Sequence, residues 1–246
     1  MKPRGIGKSD VGRVRSNNED SFWICNERIG AFANVYVVAD GMGGHNAGEI
    51  ASAKSINFFQ KQLRQSTAKQ AMDEKGKEAL LVQAVEAANE GVYALSVDNL
   101  AQNGMGTTFT VCSVENGTLY YAHIGDSRLY VLTDSEIRQI TEDHTFVNEM
   151  VKLGELTPAQ ARNHPKRNML TRALGTETDA LVDSGWFALP DNAKVLLCSD
   201  GLTTMLSDNE ILQYAGTGKA EEIMNKLIET ANARGGFDNV SVIIIQ

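Results

Sequence analysis

The chain has 246 residues, 42% of them hydrophobic and 22% charged, the balance of a globular protein large enough for one sizeable domain or two small ones. With 23 basic against 31 acidic residues the net charge is −8, which excludes general binding to nucleic acid or to an acidic membrane, because both need basic surface. Three widely spaced cysteines, Cys25, Cys112 and Cys198, form no C-x-x-C pair, which excludes a disulfide framework and points to a reducing compartment. No stretch reaches the ~18 apolar residues of a membrane span, and no apolar segment follows the basic Met1-Lys2-Pro3-Arg4 as a secretory signal would require. The expected setting is the cytoplasm.

An extended segment, Arg15-Ser16-Asn17-Asn18-Glu19-Asp20, comes first, then the apolar run Val35-Tyr36-Val37-Val38-Ala39, which ends at Asp40-Gly41. Helical spacing of apolar residues predicts amphipathic helices over about 47–63 and 78–97, joined by a solvated connection through 65–77. Residues 107–114 alternate and are β-branched; Glu115-Asn116-Gly117 signals a hairpin into a strand over 119–124. Gly125-Asp126-Ser127 reads as another hairpin turn, leading to strands at 128–132 and 137–141. Such short connections imply an antiparallel meander, since parallel strands need crossovers of a dozen residues or more. Residues 144–165 are polar and read as a surface excursion, with a capped helix at Thr157-Pro158. Val195-Leu196-Leu197-Cys198-Ser199 then runs into Asp200-Gly201. Ser207-x-x-Glu210 is a capping box, a helix is expected over 220–233, and a last apolar strand over 240–245 follows Asp238-Asn239.

The chemistry lies in the carboxylates. A buried strand that stops at an aspartate followed by glycine delivers a hard oxygen ligand to the rim of a core, and the glycine lets a metal, water or phosphate come close to the backbone. Strand, turn and carboxylate recur at Glu19-Asp20, Asp40-Gly41, Asp200-Gly201 and Asp238. If these groups meet, their repulsion demands cations between them. All the candidate ligands are oxygens and no cysteine or histidine pair has zinc spacing, so Mg2+ or Mn2+ is expected. Two such ions about 3.5–4 Å apart can activate a shared water and clamp an in-line displacement at phosphorus. Arg15, five residues before Asp20, is placed to grip phosphate oxygens with its planar fork. His45, just past the Asp40-Gly41 loop, is a candidate general acid, whereas His123 lies within a strand and reads as a core residue. Gly41-Met42-Gly43-Gly44 lacks the ending of a nucleotide P-loop, and no G-x-S-x-G elbow offers a serine nucleophile.

In this order and spacing, Gly12-Arg13-Val14-Arg15-Ser16-Asn17-Asn18-Glu19-Asp20, Val38-Ala39-Asp40-Gly41-Met42-Gly43-Gly44-His45, Gly106-Thr107-Thr108, Ile124-Gly125-Asp126-Ser127-Arg128, Leu170-Thr171-Arg172-Ala173-Leu174-Gly175, Cys198-Ser199-Asp200-Gly201-Leu202 and Asp238-Asn239-Val240-Ser241 resemble the metal-dependent serine/threonine protein phosphatases of type 2C, in their compact bacterial form. The resemblance runs from about Gly5 to Ile245. It implies an α+β fold, a four-layer α/β/β/α sandwich of two antiparallel β-sheets with helices on both outer faces. Residues 1–246 would form a single catalytic domain with a flap insertion at about 144–165.

By the same resemblance Asp40 bridges two metals and the Gly41 carbonyl contributes to one. Asp20 holds that cluster, with Glu19 acting through metal-bound water. Asp200 and Asp238 ligate the other metal, and Asp126, with Asp200, binds a third, weaker ion. Arg15 takes the substrate phosphate. The implied reaction is hydrolysis of phosphoserine and phosphothreonine in proteins by metal-activated hydroxide at a binuclear Mg/Mn centre, reversing a cognate serine/threonine kinase, in a monomer. Many eukaryotic members carry a histidine acid directly after Asp-Gly where this chain has Met42, which leaves His45 or a metal-bound water as the acid. The alternatives are a phosphoprotein-binding pseudo-enzyme and a phosphatase for a small phosphorylated molecule.

Overall fold

A computed structural model describes residues 2–43, 47–66, 72–98, 102–215 and 218–246. Along the chain, β1 (Gly5–Asp10), β2 (Asp20–Cys25) and β3 (Val35–Met42) precede two long helices, α1 (Ala47–Gln65) and α2 (Glu74–Asp98). Five strands follow: β4 (Gly106–Thr107), β5 (Phe109–Glu115), β6 (Thr118–Ile124), β7 (Arg128–Leu132) and β8 (Ile137–Gln139). Two short helices, α3 (Phe146–Lys152) and α4 (Pro158–Arg162), lead to β9 (Asp183–Ala188) and β10 (Lys194–Cys198). The chain closes with α5 (Asp200–Thr203), α6 (Asp208–Ala215), α7 (Ala220–Ala233) and β11 (Val240–Ile245).

The strands form two sheets, one in the order β1-β11-β10-β7-β8 and one in the order β2-β3-β5-β6-β9, with β4 paired to the end of β3. Every pairing is antiparallel. Strand side chains alternate between faces, and the cores follow that alternation. Val35, Val37 and Ala39 of β3 pack with Phe59 and Leu81 of α1 and α2. Tyr36 and Val38 face the other way and meet Leu197 and Ile243 of the opposite sheet. Leu196, Val242 and Ile244 in turn pack against Ile223 and Leu227 of α7. The layers are therefore helix, sheet, sheet, helix, the α+β sandwich expected from the resemblance. β3 is apolar on both faces because both are covered.

Three local readings change. The meander is interrupted: β5 and β6 are a hairpin, with Asn116 and Gly117 at positive φ (53° and 77°) as a type I′ turn requires. However, β6 pairs next with β9, and β7 belongs to the other sheet. Gly125-Asp126-Ser127 is therefore a crossing between sheets and not a hairpin turn. Gly125 makes the corner at φ 110°, where a Cβ would lie 2.6 Å from Thr108, and the Ser127 hydroxyl is held 2.7 Å from that of Thr108. Secondly, α2 begins at Glu74 rather than 78, because Asp73 Oδ1 accepts from the Gly76 N–H (2.8 Å) and supplies the N-cap. Finally, the excursion after β8 is less superficial than its polarity suggests. His144, Thr145 and Val147 are buried, and Thr145 bridges to Leu170, so the flap stands on a two-stranded root. The Thr157 cap forms as expected, and Gln160 accepts in return from the Thr157 N–H. The Ser207–Glu210 box forms only by half, since Glu210 Oε2 accepts from the Ser207 N–H and hydroxyl while the Glu210 N–H goes to the Ser207 carbonyl.

Candidate metal centre

Strand alternation concentrates the polar groups at one rim. On β3, Tyr36 and Val38 line the space between the sheets, and the next residue on that face is Asp40. On β2, Phe22 and Ile24 line the same space and Asp20 stands on that face. Asp20 and Asp40 are register partners. From the opposite sheet come Ser241, on the face of Ile243, and Ser199, two residues past Leu197. Both hydroxyls donate to Asp20 Oδ2, at 2.7 Å from Ser199 and 2.8 Å from Ser241. The apolar interlayer thus ends in a polar plug made by both sheets. β3 does not stop at the carboxylate, as the sequence suggested; it continues through Gly41-Met42, paired with β4.

The loops around this rim are tied to one another. Asn239 Oδ1 accepts from the Glu19 N–H (2.8 Å), while its Nδ2 donates to the carbonyls of Val11 and Asn17 (both 2.9 Å). Thr108 Oγ1 accepts from the Asp40 N–H (2.9 Å), and Thr107 Oγ1 donates to the Asp40 carbonyl (2.9 Å). Arg15 Nη2 donates to Asp238 Oδ2 at 2.8 Å. Asp200 opens α5 just after β10, and its charge repels that of Asp40. Asp238 precedes β11 by two residues. The glycines serve differently from expectation: it is backbone that approaches them. A Cβ on Gly41 would lie 2.1 Å from the Gly48 carbonyl oxygen, and one on Gly201 would lie 1.9 Å from that of Asn239.

The carboxylates act on one another. Loss of hydration, opposed by the two serine hydroxyls and reinforced by Asp200 and Asp238, lifts Asp20 to about 7. Asp200 is raised to about 6, chiefly by desolvation and then by Asp238. Asp40 is pushed well above the usual carboxylate range by desolvation, then by Asp20, Asp200 and Asp126. Asp126 is pushed the same way by desolvation, then by Asp200 and Asp143. Glu19 is raised by partial burial, against the pull of Arg15. Asp20, Asp40, Asp126, Asp200 and Asp238 are therefore one electrostatic cluster, with Glu19 and Arg15 at its edge. His45 lies outside the described residues.

Among the described residues no three Asp, Glu, His or Cys side chains already converge as a finished metal cage. The donor set nevertheless fits a hard divalent cation. It is all oxygen, it carries mutually raised carboxylates, and Asp20 Oδ1 is buried with no hydrogen-bond partner among the described residues. A buried carboxylate oxygen left unpaired is costly, and a cation is the partner that removes that cost. Beside Asp126 and Asp200 a cavity of about 570 Å3 opens, walled on the far side by Val147, Val151 and Ala161 of the flap. Ser199, Ser241 and Asn239 carry no role in the sequence reading, although each stands next to or near a motif aspartate. Only the pairing of β11 with β10 and β1 reveals that they hold the acidic rim. His123 is core, as read: it is fully buried between Thr110 Oγ1 and the Glu142 carbonyl.

A rim of clustered carboxylates that fits hard cations, with an arginine fork beside it, defines a metal-dependent hydrolase of phosphate esters. The protein phosphatase 2C family model matches residues 7–240. The serine/threonine phosphatase stp of Listeria monocytogenes is 34% identical over 245 residues, spanning 97% of this chain and 94% of that protein. The crystal structure of the Mycobacterium tuberculosis serine/threonine phosphatase PstP/Ppp superposes with a TM-score of 0.87 at 38% identity, covering 100% of this chain and 99% of that one. The catalytic domain of PstP in complex with two manganese ions superposes with a TM-score of 0.84 at 36% identity, covering 99% and 97%. The chain belongs to the protein phosphatase 2C family.

Proposed function

We propose that this chain removes phosphate from phosphoserine and phosphothreonine in proteins, using Mg2+ or Mn2+ held by the rim carboxylates. The observation that carries the reading is the Asp20–Asp40 register pair, with its unpartnered buried oxygen and Arg15 alongside. Asp40 and Asp20, with the Gly41 carbonyl and Glu19 through water, would hold one side of a two-ion centre, and Asp200 and Asp238 the other. Asp126, with Asp200, would hold a third and weaker ion. When bound, the ions supply a water that ionises near neutral pH and a positive clamp for the charge that develops on the phosphoryl oxygens.

The chain's own residues do the rest. Arg15 binds phosphoryl oxygens, and Asp238 orients it through one N–H while leaving most of the fork available to substrate. Ser199 and Ser241 would keep Asp20 fixed when a cation takes the place of its proton, which passes to water. Met42, paired with Gly106 at the end of β3, has no proton to give the leaving group. His45 or a water is the acid.

Finer points extend the same reading. A serine/threonine kinase that phosphorylates the substrates is the natural opposing enzyme. The chain would act as one catalytic domain and as a monomer, because every group assigned here comes from one chain and from both of its ends. The unpaired thiols of Cys25, Cys112 and Cys198 support a reducing, cytoplasmic setting. The test is phosphate release from a phosphothreonine protein in Mn2+. Turnover is expected to vanish on complete chelation and to return when Mn2+ is restored; turnover that survives chelation overturns the mechanism.

A further inference from the structure

One buried constellation beside the acidic rim has no part in the reading above. His144 stands at the root of the flap with its side chain 4% exposed, and it grips Gly125 twice. Its backbone N–H donates to the Gly125 carbonyl (2.8 Å), and its ring Nδ1 accepts from the Gly125 N–H (3.1 Å). On the other side Nε2 lies 3.0 Å from Asp183 Oδ2, and Asp183 Oδ1 accepts from Arg172 Nη1 (3.0 Å). The His144 carbonyl accepts from the Thr171 N–H (2.9 Å), closing the flap root.

We infer that His144 is a positioning residue: it fixes the Gly125-Asp126 corner through Nδ1, and so sets where the Asp126 carboxylate stands relative to Asp200. The inference rests on the assignment of Asp126 to the weaker ion. Gly125 needs such support, since it turns the chain between sheets at φ 110° and has no strand partner to hold its N–H. The arrangement also fixes the tautomer. A backbone N–H can only donate, so Nδ1 must be the acceptor and Nε2 must carry the proton and donate in a hydrogen bond to Asp183 Oδ2. Asp183, steadied by Arg172, therefore keeps the acceptor face of the ring turned to Gly125. Burial holds His144 below the ordinary histidine value, in keeping with a neutral ring. Such outer partners of metal ligands set ligand orientation, and with it metal affinity.

The two amide replacements separate this role from mere packing. In His144→Asn the amide oxygen branches where Nδ1 does and can still accept from Gly125. In His144→Gln the amide reaches the place of Nε2 and leaves the Gly125 N–H without an acceptor. Asp183→Asn, at a partly exposed position, allows its amide to donate to Nε2 and moves the ring proton to Nδ1, against Gly125. Mn2+ binding to the whole chain is measured by titration calorimetry, with thermal unfolding in parallel. His144→Gln and Asp183→Asn are expected to weaken the weakest Mn2+ event by about tenfold, while His144→Asn stays within about twofold of wild type. Equal behaviour of the Asn and Gln variants, or wild-type Mn2+ affinity in both His144→Gln and Asp183→Asn, overturns the role. Asp126→Asn distinguishes the two levels of the argument. If it leaves the weakest ion in place, the assignment of Asp126 falls and this inference with it; if it removes that ion while His144→Gln does not, the positioning role alone is overturned.

Discussion

Asp200 shows what a single carboxylate contributes at this rim. Its pKa is lifted to about 6 by desolvation and by Asp238, so at neutral pH the metal-free protein holds it ionised against its surroundings. Asp200→Asn removes that charge while keeping the size of the side chain. Turnover is expected to fall below detection, while the melting temperature in excess chelator rises by about 2–4 °C for each kcal/mol of repulsion relieved. Wild-type kcat in this variant would refute the ligand assignment. Arg15 is different in kind: it is about half exposed and, among the described residues, ion-paired with Asp238 alone, which suits the binding role proposed for it. Arg15→Ala should raise KM for a phosphopeptide by about tenfold or more, the worth of a hydrogen bond to a charged group, and lower kcat by less. An unchanged KM removes Arg15 from the binding role. Residue identities of this sort are legible in a sequence because few side chains can do hard-cation and phosphate chemistry. The supporting serines are not, because serine is common and only contact with Asp20 distinguishes Ser199 and Ser241.

At the scale of elements, most of the helices and strands can be read from periodicity and caps: Thr157, Ser207 and the apolar stripes of α1, α2 and α7 mark themselves. The exceptions are places where neighbours decide. Gly125-Asp126-Ser127 has the composition of a hairpin turn, yet the contacts of Thr108 with Ser127 and of His144 with Gly125 draw the chain across to the other sheet. Likewise the glycines after Asp40 and Asp200 suggest room for a ligand, whereas the room is filled by backbone. Gly201→Ala tests this packing. Its Cβ would press on the Asn239 carbonyl, next to both Asp238 and the Glu19 tether, so a loss of about 1–3 kcal/mol from overpacking is expected, together with weaker Mn2+ binding. Unaltered stability in urea would mean that α5 shifts freely, which the contact geometry does not allow.

For the molecule as a whole, the acidic rim makes folding, protonation and metal binding one equilibrium. A carboxylate whose pKa is raised on folding binds more protons folded than unfolded between its two values, so stability falls as pH rises through that window. With Asp20 near 7 and Asp200 near 6, against an ordinary value of 3.8, the chelated protein should melt progressively lower as the buffer moves from pH 4 to pH 7. Saturating Mn2+ should remove most of that slope, adding about 2.7 kcal/mol at a hundredfold excess over its Kd. A chelated protein that becomes more stable over the same range contradicts the clustering of these groups. The sequence alone determined the kinds of chemistry available: carboxylate oxygens for hard cations, an arginine suited to phosphate, antiparallel strands and amphipathic helices, since these follow from side-chain type and local spacing. Tertiary structure decided which face of each strand meets which layer. Strands apolar on both sides carry no mark of the interlayer side, and only pairing across two sheets brings Asp20, Asp40, Ser199 and Ser241, far apart in the chain, to the edge where the apolar core ends.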